Sequence, residues 1–122
     1  MKNTFSREKR LTTDAQFKQV FRKGRKTSAA VCAVFCYFNN LTHPRLGLVV
    51  PKKSIKKAHE RNIFKRAVRE GFRLRQHELG AIDIVILSYK QAEGLAKEKL
   101  CLYLEKQWEE LILRQKKLQS AQ

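Results

Sequence analysis

The stretch KKAHERNIFKRAVREGFRLR, residues 56–75, carries the pattern from which we predict the centre of the fold. At about 100° per residue, its apolar positions fall on one side of a helix within an arc of roughly 140°. These positions are Ile63, Phe64, Ala67, Val68, Gly71 and Leu74. A separate arc of similar width, which we call the basic row, holds Arg61, Asn62, Lys65, Arg66, Arg69 and Arg73. The two arcs predict an amphipathic helix that packs through its apolar side and presents the basic row to the outside.

The basic row has few acidic neighbours. Glu60 and Glu70 can pair with it locally, but two carboxylates do not neutralise so many cations. Like charges four residues apart destabilise a helix by a few tenths of a kcal/mol per pair, so that an anionic partner would relieve them. A solvated surface face is the alternative, although surfaces kept for solubility usually mix both signs. We therefore predict an anion-binding row.

The charge of the whole chain supports the same prediction. The 122 residues carry a formal net charge of +16. Residues 1–26 hold nine Lys or Arg residues against two acids, and residues 52–75 hold ten against two, whereas the seven bases after residue 75 meet seven acids. A polyphosphate backbone is the simplest partner for such concentrated charge.

Two other anionic partners are weaker alternatives. A DNA-recognition helix would have a similar charge, but a strand and Pro51 precede this helix, where a helix-turn-helix protein would have a short helix. A membrane-surface helix is disfavoured because its apolar arc contains Ala and Gly and is needed to cover a sheet. No apolar run approaches the roughly 20 residues that span a bilayer, and the N-terminus shows no signal peptide, so we expect a cytosolic protein.

The chain is predicted to form a single domain over residues 1–122, with a core at about 11–113 and a disordered polar end at 114–122. Thr13 and Gln16 form a capping-box pattern at the start of a helix that closes at Gly24. Strands are predicted over 31–38, 46–50 and 82–89. A C-terminal helix is predicted from about Leu95, and its apolar stripe consists of Leu100, Leu104, Trp108 and Leu111.

The residues that could carry protein chemistry are scattered. Cys32 and Cys36 would lie about 13 Å apart on one strand, which excludes a disulfide between them. The three His residues stand singly, without the spacing of metal ligands, and buried reduced thiols are the expected state of the cysteines. A protein nuclease would need clustered carboxylates or paired histidines. We therefore expect no catalytic residue and no metal site on the protein, with an autonomous nuclease as the rival interpretation.

Three segments resemble the protein subunit of bacterial ribonuclease P. FKQVF leading to Gly24 is similar to the first helix of that family, and RLGLVVPKK is similar to its central strand with trailing lysines. ERNIFKRAVREGFR resembles the signature Arg-Asn-x-x-Lys-Arg-x-x-Arg-Glu of the family's basic helix. The likeness extends from about Leu11 to Trp108. The segment SIKKAHE departs from the family form, which has a Gly-containing turn there.

The resemblance implies an α+β fold, a two-layer α-β-β-β-α-β-α sandwich similar to the second domain of ribosomal protein S5, with a left-handed βαβ crossover into the basic helix. The additional strand would lie within SAAVCAVFCYF. The resemblance also implies an accessory subunit of an RNA-catalysed enzyme. Its partners would be the catalytic RNA, which binds most of the Mg²⁺, and the 5′ leader of precursor tRNA. A ribosomal or other structural RNA-binding protein is the alternative function.

Two contact surfaces follow from the resemblance. Catalytic RNA would be bound by Lys52, Lys53, Arg61, Asn62, Lys65, Arg66, Arg69 and Arg73. The leader would be bound in a cleft lined by Phe17, Phe21 and Phe35, where stacking on bases tolerates sequence variation. Plain core packing is the alternative for the three phenylalanines. The bases of SREKR and RKGRK would add diffuse attraction for phosphates.

Overall fold

The structure is a computed structural model that describes the backbone of residues 7–120 and the side chains of residues 8–117. A short 3-10 turn, Arg7–Lys9, precedes the first helix. The helices are α1 (Asp14–Lys23), α2 (Ala58–Leu79) and α3 (Lys97–Ser120), and the strands are β1 (Arg25–Ser28), β2 (Cys32–Phe38), β3 (Arg45–Val49) and β4 (Ile82–Ser88). The predictions for residues 1–6 and 121–122 lie outside the described residues.

The four strands form one sheet in the order β1-β2-β4-β3. Neighbouring strands are antiparallel except β3 and β4, which are parallel and joined through α2. The outer edge of β3 is covered by the N-terminal segment, where the Leu11 amide donates to the Leu46 carbonyl at 3.0 Å. The predicted α-β-β-β-α-β-α order is confirmed, while the handedness of the connection through α2 stays a prediction.

The additional strand lies elsewhere than predicted. Strand β1 precedes SAAVCAVFCYF, overlapping it only at Ser28, and pairs with β2 from Arg25 opposite Cys36 to Ser28 opposite Ala33. Its sequence, RKTS, has no apolar periodicity that would predict a strand. An edge strand tolerates exposed charge, and pairing with β2 sets the register of β1. Gly24 ends α1 as predicted, but at a φ of −79°, outside the left-handed region. A side chain at Gly24 would collide with the Val20 carbonyl oxygen.

The two faces of the sheet carry different helices. Because side chains alternate along a strand, Ile84 and Ile86 of β4 join the main core beneath α2 and α3. Val85, between them, joins a smaller core with Leu11 and with Val20 of α1. Helix α1 therefore lies on the face of the sheet opposite to α2 and α3, which gives three layers where the resemblance implies two.

The start of α1 is capped as the sequence predicts. Thr13 Oγ1 accepts from the Gln16 amide at 3.2 Å, and Gln16 Oε1 accepts from the Thr13 amide at 3.1 Å. Two of the amides left unpaired at a helix start are satisfied in this way. The capping box thus sets where α1 begins.

Helix α2 is rotated relative to the prediction. Its fully buried side chains are Phe64, Ala67, Val68, Phe72, Gln76 and Leu79, so the buried side is centred about 60° closer to the basic row than the predicted apolar arc. Leu74, predicted to be inside, is 50% exposed, and Phe72, left out of the arc, is fully buried. The rotation of α2 results from its packing against α3, since Trp108 lies directly against Gly71.

The C-terminal helix extends further than predicted. Its stripe of Leu100, Leu104, Trp108 and Leu111 is buried, as expected. The helix includes Arg114 and Gln115, which form contacts with other elements, while the disorder of the polar end stays a prediction. Arg114 Nη2 donates to Thr27 Oγ1 at 3.3 Å, and Gln115 Nε2 donates to the Leu79 carbonyl at 2.9 Å. The second bond satisfies a carbonyl at the C-terminus of α2, which ends at Gly80 with a φ of 79°.

Arg45 is not part of a cationic surface, because it is paired across the sheet. Its guanidinium donates to both oxygens of Asp83 at 2.8 and 2.7 Å, and Asn39 Nδ2 donates to the same carboxylate at 2.9 Å. Asp83 is 1% exposed. The bonds to Asp83 raise the pKa of Arg45. Removing one member of such a buried pair typically costs about 3–5 kcal/mol, because the other charge is left buried and uncompensated.

Candidate RNA-binding surface

The structure brings most of the basic row together on the outward side of α2. Asn62, Arg66, Arg69 and Arg73, with Glu70, line one shallow depression of about 310 Å³. Lys65 and Arg61 lie at the edge of the basic row nearest to the buried side of α2, and both are half-buried. The depression is thus lined by four members of the basic row and one carboxylate.

The charges of the row are largely unneutralised. Within residues 8–117, Lys65, Arg66 and Arg69 form no hydrogen bond or ion pair with another side chain. Arg73 is paired with Glu70, and its hydrogen bond lowers the pKa of that carboxyl. A guanidinium suits phosphate because its planar set of N–H donors matches the phosphate oxygens. The row therefore offers cations that are free to meet such groups.

Arg61 has a different set of contacts. Its Nη1 donates to the carbonyl oxygens of Ile55 at 3.0 Å and Lys56 at 2.7 Å. Helix α2 has no side-chain cap at its N-cap residue, Lys57, so Arg61 connects its first turn to the preceding loop. Arg61 thus holds the loop before α2 against the first turn of the helix. Its contact with RNA stays a prediction.

The two lysines after β3 stand on a loop that is held at several points. Lys52 and Lys53 are exposed. Ser54 Oγ lies 2.6 Å from Ser88 Oγ, and Ile55 is only 1% exposed within the main core. The Lys56 amide donates to Glu93 Oε2 at 2.8 Å. The exposed lysines are consequently held at a defined place beside the start of α2.

The three predicted cleft residues lie on the α1 face of the sheet. Phe17 and Phe35 are half-buried against the smaller core, whereas Phe21 is 39% exposed. The rings of Phe21 and Phe35 meet edge-to-face with centroids 4.8 Å apart. The ring of Phe17 lies over Gly47, where a Cβ would be 2.5 Å from its Cε1. The structure brings all three together, and Phe17 also serves as packing.

Two further residues on this face were not singled out by the sequence. Lys26 Nζ lies 5.8 Å from the centre of the Phe35 ring, a cation–π distance. Tyr37 is half-buried against the same small core. The signal for Tyr37 was available, because it follows Phe35 by two residues on a strand. The position of Lys26 beside Phe35 could not be predicted, because it depends on the pairing of β1 with β2.

Cys32 and Cys36 are poorly suited to chemistry, whereas Cys101, which was expected to be buried, is exposed. Burial raises the pKa values of Cys32 and Cys36 to about 12, so both stay protonated at neutral pH. Among the residues that the structure describes, no group of three or more His, Cys, Asp or Glu side chains comes together as metal ligands. Over the same residues, no helix is long and apolar enough to cross a membrane.

The fold and this surface define a small basic α+β domain of the polyanion-binding class. A sequence model of the family Ribonuclease P matches residues 5–112. The chain belongs to the ribonuclease P protein family.

Individual relatives agree with this assignment. The ribonuclease P protein component of Photobacterium profundum is 47% identical over 110 residues, which cover 90% of this chain and 93% of that protein. The RNase P protein of Staphylococcus aureus superposes with a TM-score of 0.75 at 30% identity, covering 80% of this chain and 90% of that one. The RNase P protein from Thermotoga maritima superposes with a TM-score of 0.71 at 29% sequence identity. This match covers 81% of this chain and 94% of that one. These matches do not favour the ribosomal alternative.

Proposed function

We propose that this protein is the protein subunit of ribonuclease P, which assembles with the catalytic RNA and promotes removal of the 5′ leader from precursor tRNA in the cytoplasm. The observation that carries the proposal is the basic row, whose exposed cations Arg66 and Arg69 have no partner within the described side chains. Family membership supports RNA, rather than another polyphosphate, as the anion.

We assign the bond cleavage to the RNA partner. A cationic row does not suit Mg²⁺, and the one carboxylate that lines it, Glu70, is engaged by Arg73. Mg²⁺ would instead be held mainly by the RNA, where it can activate the nucleophile and stabilise the leaving oxygen. The side chains of the basic row, with Lys52 and Lys53, bind phosphates and lower the repulsion between RNA segments.

We further propose that the leader contacts the α1 face of the sheet. Phe21 offers an exposed ring, Phe35 a half-buried one, and Lys26 a cation next to it. Stacking is worth about 1–3 kcal/mol per base and is tolerant of sequence, which suits a leader that varies between tRNAs. Phe17 supports the surface from below through its contact with Gly47.

Reconstitution with the RNA subunit tests the proposal. We expect the wild-type protein to lower the Mg²⁺ concentration needed for leader removal, because added cations screen phosphate repulsion. With about five phosphate contacts, a fourfold rise in salt should weaken assembly roughly a hundredfold. Cleavage by the isolated protein, or an unchanged Mg²⁺ requirement, would contradict the proposal.

Arg66→Ala combined with Arg69→Ala should weaken assembly with the RNA. The loss of two phosphate contacts should flatten the slope of log affinity against log salt by about 1.5 to 2. The matched control is Lys99→Ala with Lys106→Ala, which removes the same charge from exposed positions on α3. Equal effects of the two pairs in a salt-dependent binding titration would mean that net charge alone matters.

Phe21→Ala should separate the two surfaces. We expect it to reduce the affinity for precursor tRNA by about 5- to 150-fold, since one stacking contact is lost, without changing assembly with the catalytic RNA. The measurement compares precursor tRNA with and without its leader. If affinity falls equally for both substrates, or if the protein unfolds, Phe21 serves core packing.

A further inference from the structure

Helix α1 carries a second cationic surface, on the opposite side of the sheet from the basic row. Val85 of β4 packs toward α1, whereas Ile84 and Ile86 pack toward α2 and α3. The outward sides of α1 and α2 therefore face away from each other. One phosphate backbone contact on α2 therefore does not itself occupy the outward side of α1.

The outward side of α1 concentrates three cations. Lys18, Arg22 and Lys23, which we call the α1 cationic face, are exposed and line a shallow depression of about 450 Å³ together with Ala15 and Gln19. None of the three cations forms a hydrogen bond or an ion pair within the described part of the chain. The surface resembles the basic row in having several cations without acidic partners.

The helix dipole accounts for only part of this arrangement. Arg22 and Lys23 lie in the last turn of α1, where a cation gains about 0.3–1 kcal/mol. Lys18 lies one turn earlier and gains little from the dipole. It is also four residues from Arg22, a spacing at which like charges repel. Asp14, four residues before Lys18, forms no ion pair with it in the described structure.

We propose that the α1 cationic face binds the phosphate backbone of a second, double-stranded RNA segment, so that the protein bridges two RNA segments held on opposite sides of its sheet. The bridging rests on the proposed function, because the first segment is the catalytic RNA on the basic row. The second contact is a site of its own.

A duplex fits this face better than a single strand does. Single-stranded RNA is usually gripped by aromatic rings that stack on its bases, and none of the five lining residues is aromatic. The neighbouring Phe21 already meets Phe35 edge-to-face. Duplex RNA is recognised mostly through phosphates and 2′-hydroxyls. Cations suit the phosphates, and the amide of Gln19 can bond a 2′-hydroxyl.

The test uses the full-length protein assembled with the catalytic RNA, so that the basic row is already occupied. The probe is a labelled RNA duplex of about 20 base pairs, long enough for a duplex-binding surface. The complex should bind this duplex more tightly than the catalytic RNA does alone. A triple variant, Lys18→Gln, Arg22→Gln and Lys23→Gln, should lower the affinity at least tenfold and flatten the log–log salt slope by about 2 to 3.

A matched triple variant, Lys99→Gln, Lys106→Gln and Lys116→Gln, removes the same charge from exposed positions on α3. It should leave duplex binding within about twofold of wild type, since distant exposed charges are screened. Equal losses from both triple variants would overturn the proposal, as would stronger competition by a single strand of the same length.

The two proposals fail in different ways. Assembly with the catalytic RNA is measured separately for each variant. If the α1 variant assembles normally and still binds the duplex like wild type, the bridging proposal is overturned and the proposed function stands. If Arg66→Ala with Arg69→Ala assembles like wild type, the basic row is overturned as the site for catalytic RNA.

Discussion

At the scale of single residues, Gly71 decides how the two long helices pack. It lies on α2 where an added Cβ would collide with Trp108 Nε1 and lie 3.0 Å from its Cδ1. Trp108 is 1% exposed, and its Nε1 has no hydrogen-bond partner within the described residues. A buried donor without a partner costs about 1–3 kcal/mol. The burial of the indole beside Phe72, with ring centres 6.3 Å apart, must offset this cost.

Gly71→Ala should therefore destabilise the protein. Alanine favours a helix over glycine by about 1 kcal/mol, but overpacking against a buried ring typically costs about 1–3 kcal/mol. We expect a net loss in urea unfolding. The control combines Gly71→Ala with Trp108→Phe, and the combined loss should be smaller than the sum of the two single losses. A stability increase from Gly71→Ala alone would show that α3 moves away without cost.

At the scale of elements, the loop from Pro51 to Lys57 and the first turn of α2 act as one unit. The Nη1 atom of Arg61 bonds two loop carbonyls, and the Glu93 carboxylate accepts from the Lys56 amide. The turn that carries Lys52 and Lys53 is thus fixed relative to the basic row. We infer that Arg61 acts as a positioning residue for these lysines.

Arg61→Ala should weaken RNA assembly in a way that depends on the two lysines. If Arg61 positions them, its effect should be smaller in a background that already has Lys52→Ala and Lys53→Ala. A coupling of about 0.5–3 kcal/mol is typical of residues that act together. The measurement is a double-mutant cycle of binding to the catalytic RNA. Strict additivity would instead make Arg61 an independent phosphate ligand, as the resemblance to the family implies.

At the scale of the whole molecule, the excess positive charge lies in two segments of the chain, and the remainder is nearly neutral. The net charge of +16 comes from residues 1–26 and 52–75, apart from Arg45, which Asp83 neutralises. Such an excess destabilises the compact state by self-repulsion. The free protein therefore carries a cost that a bound polyanion removes.

Added salt should consequently stabilise the free protein. The Debye length falls from about 30 Å at 0.01 M to about 8 Å at 0.15 M salt, which screens repulsion across the basic row. We expect the melting temperature to rise with NaCl over this range. The melting temperature of the double variant Arg66→Gln with Arg69→Gln should rise less with NaCl, because this variant has less charge repulsion at low salt. A melting temperature that falls with NaCl would mean that attractive pairs outweigh the like charges.

Local patterns were sufficient for much of this fold. The capping box at Thr13, the strands around 32–38 and 82–88, and the buried stripe of α3 all follow from residues close in sequence. Strand β1 could not be predicted in this way, because Arg25–Ser28 is a strand only through its pairing with β2. The same reason applies to the contact of Gln115, whose hydrogen-bond partner is the distant carbonyl of Leu79.

The sequence by itself determined that a basic row would lie on one side of a helix, because helical periodicity depends only on the order of residues. Tertiary structure alone decided how that row is oriented and which of its members make contacts within the protein. Contact between Gly71 and Trp108 sets the rotation of α2, the carbonyls of a neighbouring loop engage Arg61, and the alternation of β4 places α1 on the opposite face. These outcomes depend on contacts between residues that are far apart in the sequence, and such contacts form only in the folded chain.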